Sequence, residues 1–169
     1  MQEGDLVFCH SKGIIGSGIR WSQRHMQYSS YSRWNHVAVL DRIAYQDNDS
    51  EPEWFVIQAE AAGVTNNHTL SSVAPGGTYE IIPLPAHVDR DKFLEFVRSQ
   101  VGAEYGYLSI ASCALDMFLP DSICLRKADT WICSGLVAGG LMFAGFDCAK
   151  TWVDIYTVVP AEIAELCAH

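Results

Sequence analysis

The hydrophobic pattern of this chain changes period once, near residue 88, and that change limits the folds open to it. Before it come runs rich in β-branched and aromatic residues: Leu6-Val7-Phe8-Cys9 after the turn at Gly4-Asp5, then His36–Asp41, Trp54–Glu60 and Tyr79–Leu84. Polar or turn-forming stretches separate them, as expected for strands. After it, apolar residues recur at helical spacing. Asp89 can cap a helix reaching about Gln100, with Phe93, Phe96, Val97 and Val101 on one face and Gly102 suited to its stop. Further helices are expected over Tyr107–Phe118, Trp131–Ala144 and, behind Pro160, Ala161–Cys167. Strands first and helices afterwards predict an α+β fold, an antiparallel β-sheet packed against helices.

The remaining segments are read as connections. A short helix is expected near Ile14–Gln23, followed by a loop, within a stretch rich in Ser, Gly, Arg and aromatics that could line a site. Gln46–Pro52 reads as a hairpin loop, and Thr69–Gly77 as a loop after Gly63-Val64. With 169 residues, the chain is expected to form a single domain over 1–169.

Composition narrows the function classes. Hydrophobic residues make up 49% and charged residues 18%, a globular balance. The net charge is −9, from 20 acidic and 11 basic residues, which argues against binding nucleic acid through its phosphates. The N-terminus Met1-Gln2-Glu3-Gly4-Asp5 lacks the basic and apolar regions of a secretory signal, and no apolar run approaches the ~20 residues of a membrane span. The expectation is a cytoplasmic protein without stable membrane insertion, bacterial or phage-encoded. Six cysteines, at 9, 113, 124, 133, 148 and 167, form no C-x-x-C pair, so neither a structural zinc site nor a disulfide framework is indicated. No cofactor is expected.

One cysteine stands apart. Cys133 lies in Thr130-Trp131-Ile132-Cys133-Ser134-Gly135-Leu136, where a loop enters an apolar helix. A helix start lowers a thiol's pKa, and its unpaired N–H groups can hold an oxyanion. Such a nucleophile needs a base, and the base needs an orienting group. His36 opens one strand and Glu60 closes the next. If those strands are antiparallel neighbours, both residues lie at the same edge of the sheet, and the helix carrying Cys133 can bring its sulfur to the imidazole. Taken singly, each residue also has an ordinary reading: a small apolar core thiol, a hydrogen-bonded strand-end histidine, a first exposed carboxylate. His10 and His25 are rivals to His36, and a zinc site drawn from Cys9, His10, His25 and His36 would match no usual ligand spacing. Tyr105 and Tyr107 could wall a pocket, although aromatic packing is their commoner role. Gly13-x-x-Gly16-Ser17-Gly18 lacks the lysine and preceding strand of a phosphate loop. No G-x-S-x-G is present.

Four short motifs follow one another: Gly4-Asp5-Leu6-Val7-Phe8, Asn35-His36-Val37-Ala38-Val39, Gln58-Ala59-Glu60-Ala61 and Cys133-Ser134-Gly135-Leu136-Val137. In this order the chain resembles the circularly permuted NlpC-type, YiiX-like hydrolases of the papain-like superfamily, in which the histidine strand precedes the cysteine helix. The tail Val158-Val159-Pro160-Ala161-Glu162-Ile163 resembles the group's usual ending, so the likeness runs from residue 4 to about 163. The resemblance implies Cys133 as nucleophile, His36 as base and Glu60 as the acidic third member. It implies attack on an amide or ester carbonyl through an acyl-enzyme. Many such enzymes act on peptidoglycan peptides, while the lecithin:retinol acyltransferase branch acts on lipids. One departure is Gly135, where the group often has an acidic residue. The function expected is therefore a cysteine peptidase or amidase acting on a peptide or peptidoglycan fragment. The alternatives are a lipid-directed thioesterase, phospholipase or acyltransferase with the same trio, and an inactive interaction module.

Overall fold

The computed structural model describes residues 1–10, 31–45, 51–73, 78–106, 130–147 and 158–168. The helices expected at Ile14–Gln23 and Tyr107–Phe118, and most of the Gln46–Pro52 loop, lie outside the described residues. So do Cys113, Cys124, Cys148, His25 and Tyr107.

Five strands form an antiparallel sheet: β1 (Leu6–Cys9), β2 (His36–Ala44), β3 (Glu53–Glu60), β4 (Gly63–Thr69) and β5 (Tyr79–Ile82). Their spatial order is β4-β3-β2-β1-β5. A short helix, α1 (Leu70–Val73), follows β4; then come α2 (Arg90–Ser99), α3 (Cys133–Phe143) and α4 (Pro160–Cys167). Two-residue strands β6 (Glu104–Tyr105) and β7 (Thr130–Trp131) pair in parallel. The architecture is α+β, as the change of period predicts.

Alternation along each strand divides the core between the two sheet faces. Leu6, Phe8, Val37, Val39, Ile57 and Ala59 pack with Phe93, Val97, Leu136, Val137 and Leu141 of α2 and α3. Their neighbours Val7, Ala38, Leu40 and Val56 turn to the other face and pack with Leu70. Helix α3 is buried from Cys133 through Leu141. This explains why its sequence is apolar all round and not amphipathic. Helix α2 starts where expected, with the Asp89 carboxylate accepting from the Lys92 N–H at 3.2 Å, and Gly102 (φ +93°) follows its end.

Two departures from sequence expectation shape the sheet. Residues 63–69 form a seven-residue edge strand that Thr65-Asn66-Asn67-His68 did not suggest, because asparagine is depleted in strands. The hairpin Glu60↔Gly63 carries it, and Gly63 is required there: its φ is +110°, and a Cβ would sit 2.6 Å from the Ala103 carbonyl oxygen. The second departure is a bulge in β2. Leu40 pairs with Val56 and Arg42 with Phe55, leaving Asp41 as the extra residue. Its buried carboxylate bonds Arg98 Nε at 2.8 Å and Arg42 at 2.6 Å, fastening α2 to the sheet.

Candidate active site

Cys133 is the first residue of α3, preceded by Ile132 in extended conformation (φ −98°, ψ 161°). The Leu136 N–H closes the first intrahelical bond, onto the Ile132 carbonyl, so the N–H groups of residues 133–135 have no intrahelical acceptor. Three contacts anchor this helix start. The Ser134 hydroxyl donates to the Val158 carbonyl at 2.6 Å, the Trp131 indole N–H donates to Gln100 Oε1 at 2.8 Å, and the Gly106 N–H donates to the Trp131 carbonyl at 2.9 Å.

His36 arrives from the sheet. It pairs with Cys9 across the β1–β2 ladder, and the Asn35 N–H donates to the Cys9 carbonyl at 3.3 Å. The residues leading into it are held from β5. Glu80 accepts from Arg33 at 2.8 Å and from the Trp34 indole at 3.1 Å, and the Arg33 guanidinium lies 4.7 Å from the centre of the Trp34 ring.

The meeting point of thiol and imidazole is a parting of two strands. Pairing of β2 with β3 begins at Val39↔Ile57, so His36, Val37 and Ala38 are paired with β1 only. The Leu40 N–H bonds β1 through the Asp5 carbonyl, and alternation then turns the Val37 N–H toward β3. No β3 partner meets it there, and it donates to the Cys133 sulfur instead. The sulfur also accepts from the Ser134 N–H and is hydrogen-bonded to the His36 ring.

The electrostatics follow from these contacts. Burial alone would raise the Cys133 thiol, which is 6% exposed. The His36 charge, the His36 hydrogen bond and the two N–H donors outweigh burial and hold the thiol below its ordinary range. Burial would likewise depress His36. The Cys133 charge, hydrogen bonds to Cys133 and Gln58, and the Glu60 charge together raise it above the ordinary imidazole range. Each partner thus favours the charged form of the other. Cys9, fully buried close by, moves the opposite way: desolvation and the Cys133 charge push it up to about 12.

Sequence reasoning placed His36, Glu60 and Cys133 at one edge of the sheet, and all three are there. The orienting contact is a correction. His36 Nε2 meets Gln58 Oε1 at 2.7 Å, whereas Glu60 stands behind Gln58, its Oε2 3.4 Å from Gln58 Nε2. The reason is the parting of the strands. A continued ladder would set His36 opposite Glu60, but without it the ring leans to Gln58, two residues back on the same side of β3. With Nε2 occupied by Gln58, Nδ1 is the nitrogen left for the sulfur. Glu60 is also paired with His68, Nε2 to Oε1 at 2.8 Å, and with the Thr65 hydroxyl at 3.2 Å. Neither partner was legible without β4. Among the described residues, no group of three or more His, Cys, Asp or Glu could hold a metal ion, Cys9, Cys133 and Cys167 are free thiols, and no helix is long and apolar enough to cross a membrane.

The sequence matches no protein-family model and no curated protein. The case for a function therefore rests on the residues themselves.

Proposed function

We propose that this chain is a cysteine hydrolase of the permuted papain-like type that cleaves an amide bond, with peptide or peptidoglycan-peptide substrates. The observation that carries the reading is the hydrogen bond between His36 and a thiol at the first turn of a buried helix, with the far ring nitrogen held by Gln58. A catalytic role gives a use to each of these contacts. A core thiol has no need of an imidazole, and a buried imidazole has no need of an oriented thiol.

The chemistry follows from the geometry. His36 holds the proton of Cys133 as an imidazolium. The thiolate attacks the substrate carbonyl carbon, forming a C–S bond and moving the π electrons onto oxygen. N–H groups at the start of α3, with the Cys133 N–H foremost, stabilise that oxyanion. Collapse breaks the C–N bond as His36 protonates the departing amine, leaving a thioester. Neutral His36 then takes a proton from water, hydroxide equivalent adds to the thioester, and the acid product leaves with the thiolate restored. Gln58 keeps the ring in the orientation that both steps require.

Alkylation of the native chain with iodoacetamide at neutral pH, followed by peptide mapping, tests this reading. Cys133 is expected to be modified first, with Cys9 inert because it is buried and its thiol is pushed up to about 12. Labelling of Cys133 no faster than that of the remaining thiols would count against the proposal.

A further inference from the structure

Glu60 never touches the imidazole, yet three groups converge on its carboxylate. Gln58 Nε2 lies 3.4 Å from Oε2, and the Thr65 hydroxyl and His68 Nε2 lie 3.2 and 2.8 Å from Oε1. Thr65 and His68 are three residues apart and would face opposite sides of a regular strand. A bulge brings them to one side. Val56 pairs with His68 and Gln58 with Thr65, so Asn66 and Asn67 together oppose Ile57 alone. The irregularity of β4 thus builds a holder for one carboxylate.

What that carboxylate does follows from the two-fold ambiguity of an amide. With Oε1 toward His36 and Nε2 toward Glu60, Gln58 accepts from the ring N–H and donates to a negative charge. The flipped amide would set its oxygen against the carboxylate and its NH2 against the ring N–H. Glu60 therefore selects the orientation of Gln58, and Gln58 keeps the proton on Nε2 of His36, leaving Nδ1 for the sulfur. A half-exposed carboxylate could rotate into water, and its hold on Gln58 depends on what fixes it. We propose that His68 is a positioning residue of the thiol site, acting through Glu60 and Gln58 to orient His36 toward Cys133. This rests on the cysteine-hydrolase reading and extends it to a residue outside the reacting pair.

The test is the rate of Cys133 alkylation by iodoacetamide across pH in the full chain, compared for the parent and for H68L, H68Q and E60Q, with melting temperatures recorded alongside. The parent is expected to show a midpoint well below that of an ordinary thiol. H68L and E60Q are expected to shift the midpoint upward and slow the reaction about three- to fivefold at mildly acidic pH, the size expected for losing a partly screened charge or its anchor. H68Q, whose amide N–H can reach the same carboxylate oxygen, should restore most of the rate. A low parent midpoint with H68L and E60Q curves superimposed on it would overturn the role of His68 while leaving the catalytic reading intact. H68Q as slow as H68L would also overturn it, since the donor is what matters. An ordinary midpoint in the parent would remove both. Should H68L fail to fold, H68A, which removes the same donor to Glu60, takes its place in the comparison with parent and H68Q.

Discussion

Cys133→Ala is expected to abolish hydrolysis of any amide substrate this chain accepts, by about 10³-fold or more, and His36→Ala to lower kcat by about 10²–10⁴-fold. The two losses should not add, because each variant removes the same thiolate–imidazolium pair. Gln58→Leu keeps the pair but frees the ring, so its loss should be smaller and should fall on kcat more than on KM. The pH profile follows from the shifts. Activity should rise as Cys133 ionises, which the His36 contact and the Val37 and Ser134 N–H groups move below the ordinary thiol range. It should fall again as His36 loses its proton, which the Cys133 charge and the Gln58 bond move above the ordinary imidazole range. Between those limits the active pair is populated, and each shift widens that window. Steady-state rates on a panel of short peptides and peptidoglycan fragments, measured across pH, check both the losses and the two limbs.

The largest expected effect on stability lies away from the thiol. Gly140→Val should lower stability by about 2–3 kcal/mol, the usual cost of forcing extra carbons into a filled core. A Cβ at Gly140 would lie 2.8 and 2.9 Å from Phe93 ring carbons and 3.0 Å from Val97 Cγ2, all on α2. Phe93 and Val97 are fully buried and have nowhere to retreat. A β-branched residue adds two further carbons in the same direction. The helix-propensity gain on replacing a glycine, up to ~1 kcal/mol, offsets only part of this. For a chain of this length the loss corresponds to a fall in Tm of roughly 4–12 °C. Gly145 offers the contrast: beyond its chain neighbours, no atom of the described residues lies within 4 Å of its Cβ position, and its φ of +87° is what opposes substitution. Gly145→Asn, a residue that tolerates this conformation, should therefore leave Tm nearly unchanged. Thermal unfolding of the two variants and the parent decides the matter.

The parts of this fold that sequence pattern reveals are those whose burial is one-sided or complete. The β-branched runs at His36 and Trp54, the Asp89 cap and the apolar run after Cys133 each carry their own signal. The meeting of His36 and Cys133 was also legible, since strand direction and a helix start suffice to place them. The rest depends on register. Glu60 looks like the histidine's partner because strand direction sets both at one edge and the family resemblance assigns an acid there, and only the end of the β2–β3 ladder at Val39↔Ile57 shows that Gln58 takes the contact. β4 escaped notice because an edge strand can be polar, and with it went His68 and Thr65, whose common side depends on a bulge that no period reveals. Asp41 is similar: an acid in an apolar run is explained by Arg98, 57 residues away.

Ultraviolet absorbance of the thiolate, followed while the parent chain and its Cys133→Ala and His36→Ala variants are titrated, tests the ionised pair with no substrate at all. One thiolate is expected to appear well below the ordinary thiol range in the parent, to be missing in Cys133→Ala, and to move to higher pH in His36→Ala. A parent curve with no step below that range, indistinguishable from that of Cys133→Ala there, would contradict it.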